Sequence, residues 1–187
     1  AGMLDDSPGQ GHPLSFRVQR GLSDREGARA FDHPVVLAIG DNRARADLAG
    51  LITSPFFTAV HPSALIAQRV TIGGGTVVLQ GSVIQHNAHI GRHVLINTAA
   101  SIDHDNVIGD FVHVSPHATL CGHVEVGEGT HIGAGATVIP SVKIGRWATI
   151  GAGSVVTTDV PDGATAVGVP ARVIKTGAVA DRPGGAG

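Results

Sequence analysis

The 187-residue chain has one cysteine, no tyrosine, few aromatic residues and no long apolar run. A single cysteine excludes an internal disulfide framework and most thiolate metal sites. With 3% aromatic residues, the core has to be built from small and aliphatic side chains. No apolar stretch reaches the ~18 residues that a membrane span needs, and the charged and apolar regions of a signal peptide are missing. We therefore expect a cytoplasmic protein with no membrane partner.

Charged residues are also few and nearly balanced, with 13 Lys and Arg against 15 Asp and Glu and a net charge of −2. A protein that binds nucleic acid needs a basic surface for the phosphate backbone, so this balance argues against a nucleic-acid partner. Glycine and histidine are abundant instead. The chain has 27 Gly, about twice the average share, and 11 His.

The dominant pattern is a repeat of six residues. Every sixth position from Ile66 to Val156 is aliphatic, over sixteen consecutive repeats without an insertion. Two positions earlier, a second column is small or β-branched in fifteen of the sixteen repeats, and Asn106 is the exception. Such a triplet of inward, outward and inward side chains makes a short strand. Three hexads close a triangular coil, so the sequence predicts a mainly β protein with a parallel β-helix over about residues 61–158, since a helix would show a 3.6-residue period.

Residues 1–58 do not follow the hexad, and their pattern is typical of an α/β unit. Met3–Asp6 predicts the end of a strand, and Pro34–Gly40 predicts a buried strand. Arg43–Ile52 has helical character, and Asp41 or Asn42 can cap it. This order indicates a truncated, Rossmann-like segment that lacks a first strand with a Gly-rich phosphate loop. The alternative is a cap that seals the open end of the β-helix.

Two histidines stand out for their position in the hexad frame. His104 follows inward Ile102 by two residues, so it lies on a corner beside Asp105, and a carboxylate next to an imidazole suits general base catalysis. His113 precedes inward Val114 and therefore points out from a flat face on the opposite side of the coil. The two rings can act on one reactant only if they come from neighbouring subunits. The sequence therefore predicts a homotrimer with sites between subunits.

The surroundings of these residues resemble the hexapeptide-repeat sugar acyltransferases, typified by sialic acid O-acyltransferases and by N-acetyltransferases of nucleotide-linked 4-amino-sugars. The resemblance covers nearly the whole chain and implies that the β-helix is left-handed. It rests on these segments: Leu4–Asp6, Ala38–Asn42, His61–Ala64, Asn97–Asp105, His113–Ser115, Cys121–Gly122 and Gly168–Ala171.

The resemblance implies direct transfer of an acetyl group from acetyl-CoA to an amino or hydroxyl group of a sugar. His104 would take the proton from the attacking group, and Asp105 would raise the basicity of His104. The backbone N–H of Gly122 would stabilise the oxyanion, and His113 would contact the thioester end of acetyl-CoA. Asn97 would support the site, as would Asn106, the exception in the column of small residues.

Other positions that match the family imply binding roles, and no metal is expected. Ala134 and Ala152 match positions where pantetheine runs close to the backbone. Asp5, Asp6 and Gly40 match positions that grip the nucleotide-linked sugar acceptor. On this basis we expect a partial nucleotide-sugar-binding segment over residues 1–58, an acyltransferase β-helix over residues 59–160, and a C-terminal extension with a flexible tail over residues 161–187.

Two other functions compete with acetyl transfer. His86 lies one coil from His104, and His113 lies one coil from His131, so stacked imidazoles could hold a metal as in γ-type carbonic anhydrases. Those enzymes have a pair of His five residues apart, which this sequence lacks. A non-catalytic scaffold would show a regular outward ladder, and the outward column is irregular.

Several residues have simpler interpretations. Cys121 could carry an acyl group, but a small residue that fills a corner is the favoured interpretation. Asn106 could simply bond to a corner carbonyl. The remaining histidines of the repeat region are predicted to lie on the surface: His86, His89, His93, His117 and His123.

Overall fold

The structure, a computed structural model, describes residues 2–5, 17–20 and 31–177. Two short strands precede a single helix, and short strands follow it along the rest of the described chain. The elements are β1 (Gly2–Asp5), β2 (Arg17–Arg20), α1 (Asn42–Ala49), β3 (Ala59–Val60), β4 (Leu65–Ile66), β5 (Thr71–Ile72), β6 (Val77–Val78), β7 (Val83–Ile84), β8 (His89–Ile90), β9 (Leu95–Ile96), β10 (Ser101–Ile102), β11 (Val107–Ile108), β12 (His113–Val114), β13 (Thr119–Leu120), β14 (Glu125–Val126), β15 (His131–Ile132), β16 (Thr137–Val138), β17 (Lys143–Ile144), β18 (Thr149–Ile150), β19 (Val155–Val156), β20 (Thr165–Gly168) and β21 (Ala171–Lys175).

The strands from β3 to β20 form a parallel β-helix with three flat faces, as the hexad predicts. From β3 to β16, each strand pairs in register with the strand 18 residues later, as Ser101 does with Thr119. At the end of the stack the spacing shortens, and Thr149 of β18 pairs with Thr165 of β20. The faces are numbered in chain order after β3. Face 1 contains β4, β7, β10, β13, β16 and β19; face 2 contains β5, β8, β11, β14 and β17; face 3 contains β3, β6, β9, β12, β15, β18, β20 and β21.

Branched and small side chains fill the interior of the β-helix. The inward aliphatic residue of each middle coil is buried, and Ile84 and Ile102 are completely inaccessible. The small column between them is equally buried, with Ala88 as an example. The first coil differs, because no described coil covers its outer end and Ile66 stays 38% exposed. The hexad therefore predicts the direction of each side chain correctly, but not the burial at the end of the stack.

Each corner needs a residue in the left-handed region, three positions after the inward aliphatic residue. Glycine fills this position in some coils, and other residues adopt it elsewhere, including Asn87 and Asp105 with φ of 58°. Asn and Asp enter this region more readily than most side chains. The repeated corner conformation therefore sets the position of the Asp105 backbone independently of the contacts of its side chain.

Helix α1 lies along the corner between faces 2 and 3. The side chain of Asp41 caps it by accepting the backbone N–H of Ala44 at 2.7 Å. Asn42 donates to the carbonyl of Gly129 at 3.0 Å, and buried Arg45 donates to the carbonyl of Phe111 at 2.8 Å. The alternative expectation, a cap that seals the open end of the β-helix, is wrong for α1. Its hydrogen bonds reach successive coils on the side of the β-helix and not the end coil.

Residues 34–40 do not form the buried strand that their apolar run predicts. Val35 makes one isolated parallel bridge to Phe56. Leu37 is buried, whereas Val36 is exposed. The run covers the β-helix with one side only, and no ladder of strands flanks it in the described part of the chain. An apolar run of this length does not distinguish a sheet strand from an extended segment that packs on a surface.

The structure describes part of each end of the chain. Residues 2–5 and 17–20 pair as parallel strands, which fits the truncated α/β segment. At the other end, β20 pairs in parallel with β18, and the chain turns at Val169 and Pro170 into antiparallel β21. Parallel pairing thus continues past residue 160. The expected flexible tail falls largely on residues 178–187, outside the described residues. None of the described helices has the length and apolar character that a membrane crossing requires.

Candidate active site

The corner between β10 and β11 carries a hydrogen-bonded imidazole and carboxylate. His104 Nδ1 lies 2.7 Å from Asp105 Oδ2. A carboxylate only accepts hydrogen bonds when it is ionised, so Nδ1 carries the proton and Nε2 carries the lone pair. Nε2 makes no hydrogen bond to any residue that the structure describes. His104 therefore presents an oriented and partly exposed base.

Asp105 is held in place by its neighbour one coil below. Asn87 Nδ2 donates to Asp105 Oδ1 at 3.0 Å, which leaves Oδ2 for His104. The hydrogen bonds from His104 and Asn87 lower the pKa of Asp105. The carboxylate is therefore ionised at neutral pH, the state in which it can stabilise a protonated His104.

Asn106 ties the backbone of this corner to the next coil. Its side chain is completely buried. Nδ2 donates to the carbonyls of Asp103 at 2.8 Å and Cys121 at 2.9 Å. The simpler interpretation, a bond to corner carbonyls, thus agrees with the structure. Asn106 positions the backbone on both sides of His104 and does not point into the site.

Gly122 lies directly against the His104 ring. A Cβ at this position would be 2.6 Å from His104 Cε1 and 2.7 Å from Nε2, so any side chain here would displace the ring. The Gly122 N–H donates to no described acceptor, whereas the neighbouring N–H groups of Cys121 and His123 bond to carbonyls. A base and an unpaired backbone donor therefore share one corner, which is the arrangement that acyl transfer needs.

Two further histidines contact this corner. The His86 ring stacks on His104 at 5.4 Å between centroids. The His123 ring lies edge-on to His104 at 5.2 Å, with its Nε2 3.8 Å from Asp105 Oδ2. Both are exposed, as predicted. The 18-residue spacing aligns His86 with His104 and His123 with Asp105, so counting coils is the signal that places them here.

His113 lies on face 3 within a separate group of polar contacts. The amide nitrogen of Asn97 is 3.2 Å from His113 Nε2. Because Asn97 Oδ1 accepts the N–H of Thr98, its Nδ2 is the donor and His113 accepts. The backbone of Gly40 lies near the ring and partly offsets the lowering of the His113 pKa. The sequence gives no signal for this contact between residues 40 and 113.

His113 is neutral at physiological pH. Burial, with smaller effects from His131 and Arg45, lowers the pKa of His113 to about 4. The His131 ring stacks on it at 4.9 Å. Because Asn97 occupies Nε2 of His113 and Ser115 occupies Nε2 of His131, this stack is not a ready metal site.

Within one chain the predicted site residues form separate groups. His104, Asp105 and Gly122 lie on the corner between faces 1 and 2, whereas His113 lies on the opposite face. Exposed Ala134 and Ala152 lie on the third corner, between faces 3 and 1. Gly40 joins His113. Asp5 ends β1, and its side chain and all of Asp6 fall outside the described residues.

His93 is the histidine whose predicted surface position is wrong. It is 1% exposed and lies between Phe111, stacked at 5.1 Å, and Phe56, edge-on at 4.3 Å. Burial lowers the pKa of His93 to about 4. The hexad frame places it on a corner as expected, but the segment before the β-helix covers that corner.

A cavity of about 480 Å³ opens beside the start of α1. Gly40, His131 and Arg43 are among the residues that line it. The Arg43 guanidinium lies 4.0 Å from the centre of the Trp147 ring. The cavity lies next to the His113 group and offers a cation, an aromatic face and backbone groups to a polar ligand.

Comparisons with known proteins agree with this architecture. The pattern of the family Bacterial transferase hexapeptide (six repeats) matches residues 105–140 and 123–158. No curated protein matches the chain. Among solved structures, the acetyltransferase domain of PglB from Neisseria gonorrhoeae has a TM-score of 0.84 and 34% identity, over 92% of this chain and 86% of that one.

Two further solved structures are similar over most of their length. A variant of perosamine N-acetyltransferase from Caulobacter crescentus, in complex with CoA and GDP-perosamine, has a TM-score of 0.74 and 34% identity, over 86% of this chain and 78% of that one. WeeI from Acinetobacter baumannii has a TM-score of 0.80 and 29% identity, over 92% of this chain and 85% of that one.

The fold and the corner site define a hexapeptide-repeat acyltransferase, and the chain belongs to the family of hexapeptide-repeat sugar acyltransferases. It is an enzyme of the acyltransferase class. The left-handed β-helix and the class of enzyme implied by the sequence resemblance are thereby confirmed, and the scaffold alternative is wrong.

Proposed function

We propose that this enzyme transfers the acetyl group of acetyl-CoA to an amino or hydroxyl group of a sugar, with a nucleotide-linked 4-amino-sugar as the favoured acceptor. The observation that carries the proposal is the corner geometry: an oriented imidazole with a free Nε2 beside the unpaired N–H of Gly122. Structures of similar proteins with acetyl-CoA, and with CoA and GDP-perosamine, support the two substrates.

The reaction proceeds by direct attack. His104 Nε2 accepts the proton as the acceptor nitrogen or oxygen attacks the thioester carbon, and ionised Asp105 stabilises the resulting imidazolium through Nδ1–H. The Gly122 N–H donates to the thioester oxygen as negative charge develops there. The sulfur of CoA then leaves with its electron pair, and the proton on His104 returns to the leaving thiolate.

The site is complete only between subunits of a homotrimer. His104 and His113 face opposite sides of one chain, so a thioester that meets both lies in the seam between two copies. Nε2 of His113 accepts from Asn97 within its own chain and orients that amide, whose second N–H has no described partner. Asn97 can thus donate to acetyl-CoA while His113 contacts the thioester end. Ala134 and Ala152 leave room for pantetheine along an exposed corner.

The acceptor binds on the side of Gly40. The cavity beside Gly40 and Arg43 offers an aromatic face and a cation to a nucleotide diphosphate group. Asp5 and Asp6 remain proposed acceptor contacts from the family resemblance alone.

The test is acetyl transfer from acetyl-CoA to a panel of acceptors. The panel contains nucleotide-linked 4-amino-sugars, their 4-hydroxy counterparts and the free amino-sugars, with acetylated product measured by mass spectrometry. We expect product from the nucleotide-linked 4-amino-sugar and little from the free sugar. A chain that acetylates none of the panel, while it binds acetyl-CoA normally, would contradict the acceptor assignment. A ~10²–10⁴-fold decrease of kcat/KM in His104→Ala is the control that places the reaction at this corner.

A further inference from the structure

The His104 corner brings together three potential metal ligands from two coils. One ligand atom each from His86, His104 and Asp105 lies within 4.8 Å of the others. His86 is exposed, and its ring nitrogens have no hydrogen-bond partner among the described residues. The other two side chains are about one-third exposed, so solvent ions reach all three.

The donor set suits a transition-metal ion of the zinc type. Imidazole nitrogen and carboxylate oxygen both bind Zn²⁺, with bonds of ~2.0–2.1 Å, which place tetrahedral ligands about 3.4 Å apart. The three ligand atoms lie within 4.8 Å of one another, so rotation of the exposed His86 side chain can bring its nitrogen to this spacing. His123, with Nε2 3.8 Å from Asp105 Oδ2, adds a fourth donor within reach of a small movement.

We propose that His86, His104 and Asp105 form a binding site for a divalent transition-metal ion such as Zn²⁺, and that occupation of this site inhibits the enzyme reversibly. The inhibitory part rests on the proposed function, because it requires His104 to be the base. An ion on Nε2 takes the lone pair that accepts the acceptor's proton. An ion on Nδ1 displaces the proton shared with Asp105 to solvent and breaks the contact that orients the ring.

His86 is the residue that separates metal binding from catalysis. It contributes one ligand, and the proposed acetyl transfer does not use it. Gln68 occupies the same corner position one coil below, so His86→Gln places a side chain there that the fold already accommodates. His89→Gln is the matched control, because His89 is also exposed but lies on face 2, away from the three ligands.

Binding is measured first, without reaction. The oligomeric enzyme is titrated with ZnCl₂ by isothermal calorimetry and with CoCl₂ by visible absorption, since tetrahedral Co²⁺ has intense d–d bands. We expect one ion per subunit in the wild type and in His89→Gln. In His86→Gln the affinity should fall by at least ~10-fold, the loss that even an outer-shell partner causes. No binding to the wild type, or equal binding in His86→Gln, overturns the site.

Inhibition is measured next, by chromatography of the acetylated product because Zn²⁺ also binds the thiol of released CoA. Added Zn²⁺ should reduce turnover in the wild type and in His89→Gln, EDTA should restore it, and His86→Gln should resist. Stoichiometric binding with undiminished turnover overturns the inhibitory role and counts against His104 as the base. If the wild type binds no metal and His104→Ala still has greatly reduced activity, the metal site is refuted and the proposed function remains intact.

Discussion

At the scale of single residues, the site depends on one ring orientation. Asp105 holds His104 Nδ1–H, Asn87 holds Asp105, and Gly122 leaves space for the ring edge. The sequence predicts the pair and its corner position, because the hexad frame gives the direction of every side chain. The contact partners Asn87, His86 and His123 follow from counting 18 residues along the chain.

Replacement of the base is the first residue-scale prediction. His104→Ala should lower kcat/KM by ~10²–10⁴-fold, the usual contribution of a general base. The thermal midpoint should hardly change, because His104 is partly exposed and its ring fills no core space. Steady-state kinetics and a thermal melt on the same preparation check both halves. Asp105→Asn should lower kcat less than His104→Ala, because Nε2 remains; equal activity of His104→Ala and wild type would refute the assignment.

Gly122 gives a second prediction with a built-in control. Gly122→Ala places a Cβ against the His104 ring, so the ring has to move and kcat should fall by at least ~10-fold. Gly74 occupies the equivalent corner position between faces 2 and 3, where an added Cβ meets only the Phe56 carbonyl at 3.8 Å. Gly74→Ala should therefore keep wild-type kcat. Equal kinetics of the two variants would show that Gly122 does not pack against the base.

The pH dependence of stability follows from buried His93. Its pKa is about 4 in the folded chain and near 6.5 in the unfolded chain. The unfolded state thus binds more protons between these values, and the free energy of unfolding should decrease as the pH falls from ~6.5 to ~4, by about 2–3 kcal/mol from this residue. In His93→Phe this decrease should be smaller by that amount, as measured by urea unfolding at several pH values. Exposed His117→Phe serves as the control, and an unchanged slope in His93→Phe would contradict the account.

At the scale of elements, the β-helix is predictable and the segment before it is not. The hexad determines strand, corner and interior because each coil repeats the same local conditions. Residues 31–58 follow no repeat, so their sequence does not show which face or corner of the β-helix they cover. The structure places them along the corner between faces 2 and 3, which explains the burial of His93 and the contact of Gly40 with His113.

Arg45 anchors this segment to the β-helix through hydrogen bonds, and replacement of Arg45 gives the prediction at this scale. Its guanidinium is 2% exposed and donates to the carbonyls of His93 and Ile39 among others. Arg45→Met would leave several buried carbonyls unpaired, at about 1–3 kcal/mol each. Hydrogen exchange of α1 amides should accelerate strongly while that of the middle coils stays slow. Arg43→Met is the control, because Arg43 contacts the Trp147 ring and not the buried carbonyls. Unchanged hydrogen exchange of α1 in Arg45→Met would contradict the anchoring role of Arg45.

At the scale of the whole molecule, one chain carries the parts of the site on opposite sides. The proposed base and the proposed oxyanion donor lie on the corner between faces 1 and 2, and the His113 group lies on face 3. The hexad frame predicts this separation from the sequence, because the position of a residue in the 18-residue coil determines where the side chains of His104 and His113 point. The trimer that reunites them stays a proposal, and its consequence is that each site uses residues of two subunits.

Mixed trimers test this central claim most directly. His104→Ala and His113→Ala chains are each prepared, unfolded, mixed in equal amounts and refolded, and the acetyl transfer rate is compared with that of each parent treated alike. If each site takes His104 from one subunit and His113 from the next, about one quarter of the sites in random mixtures regain both wild-type residues. We predict activity near a quarter of wild type from two nearly inactive parents. A mixture no more active than its parents, although they share trimers, would contradict the account.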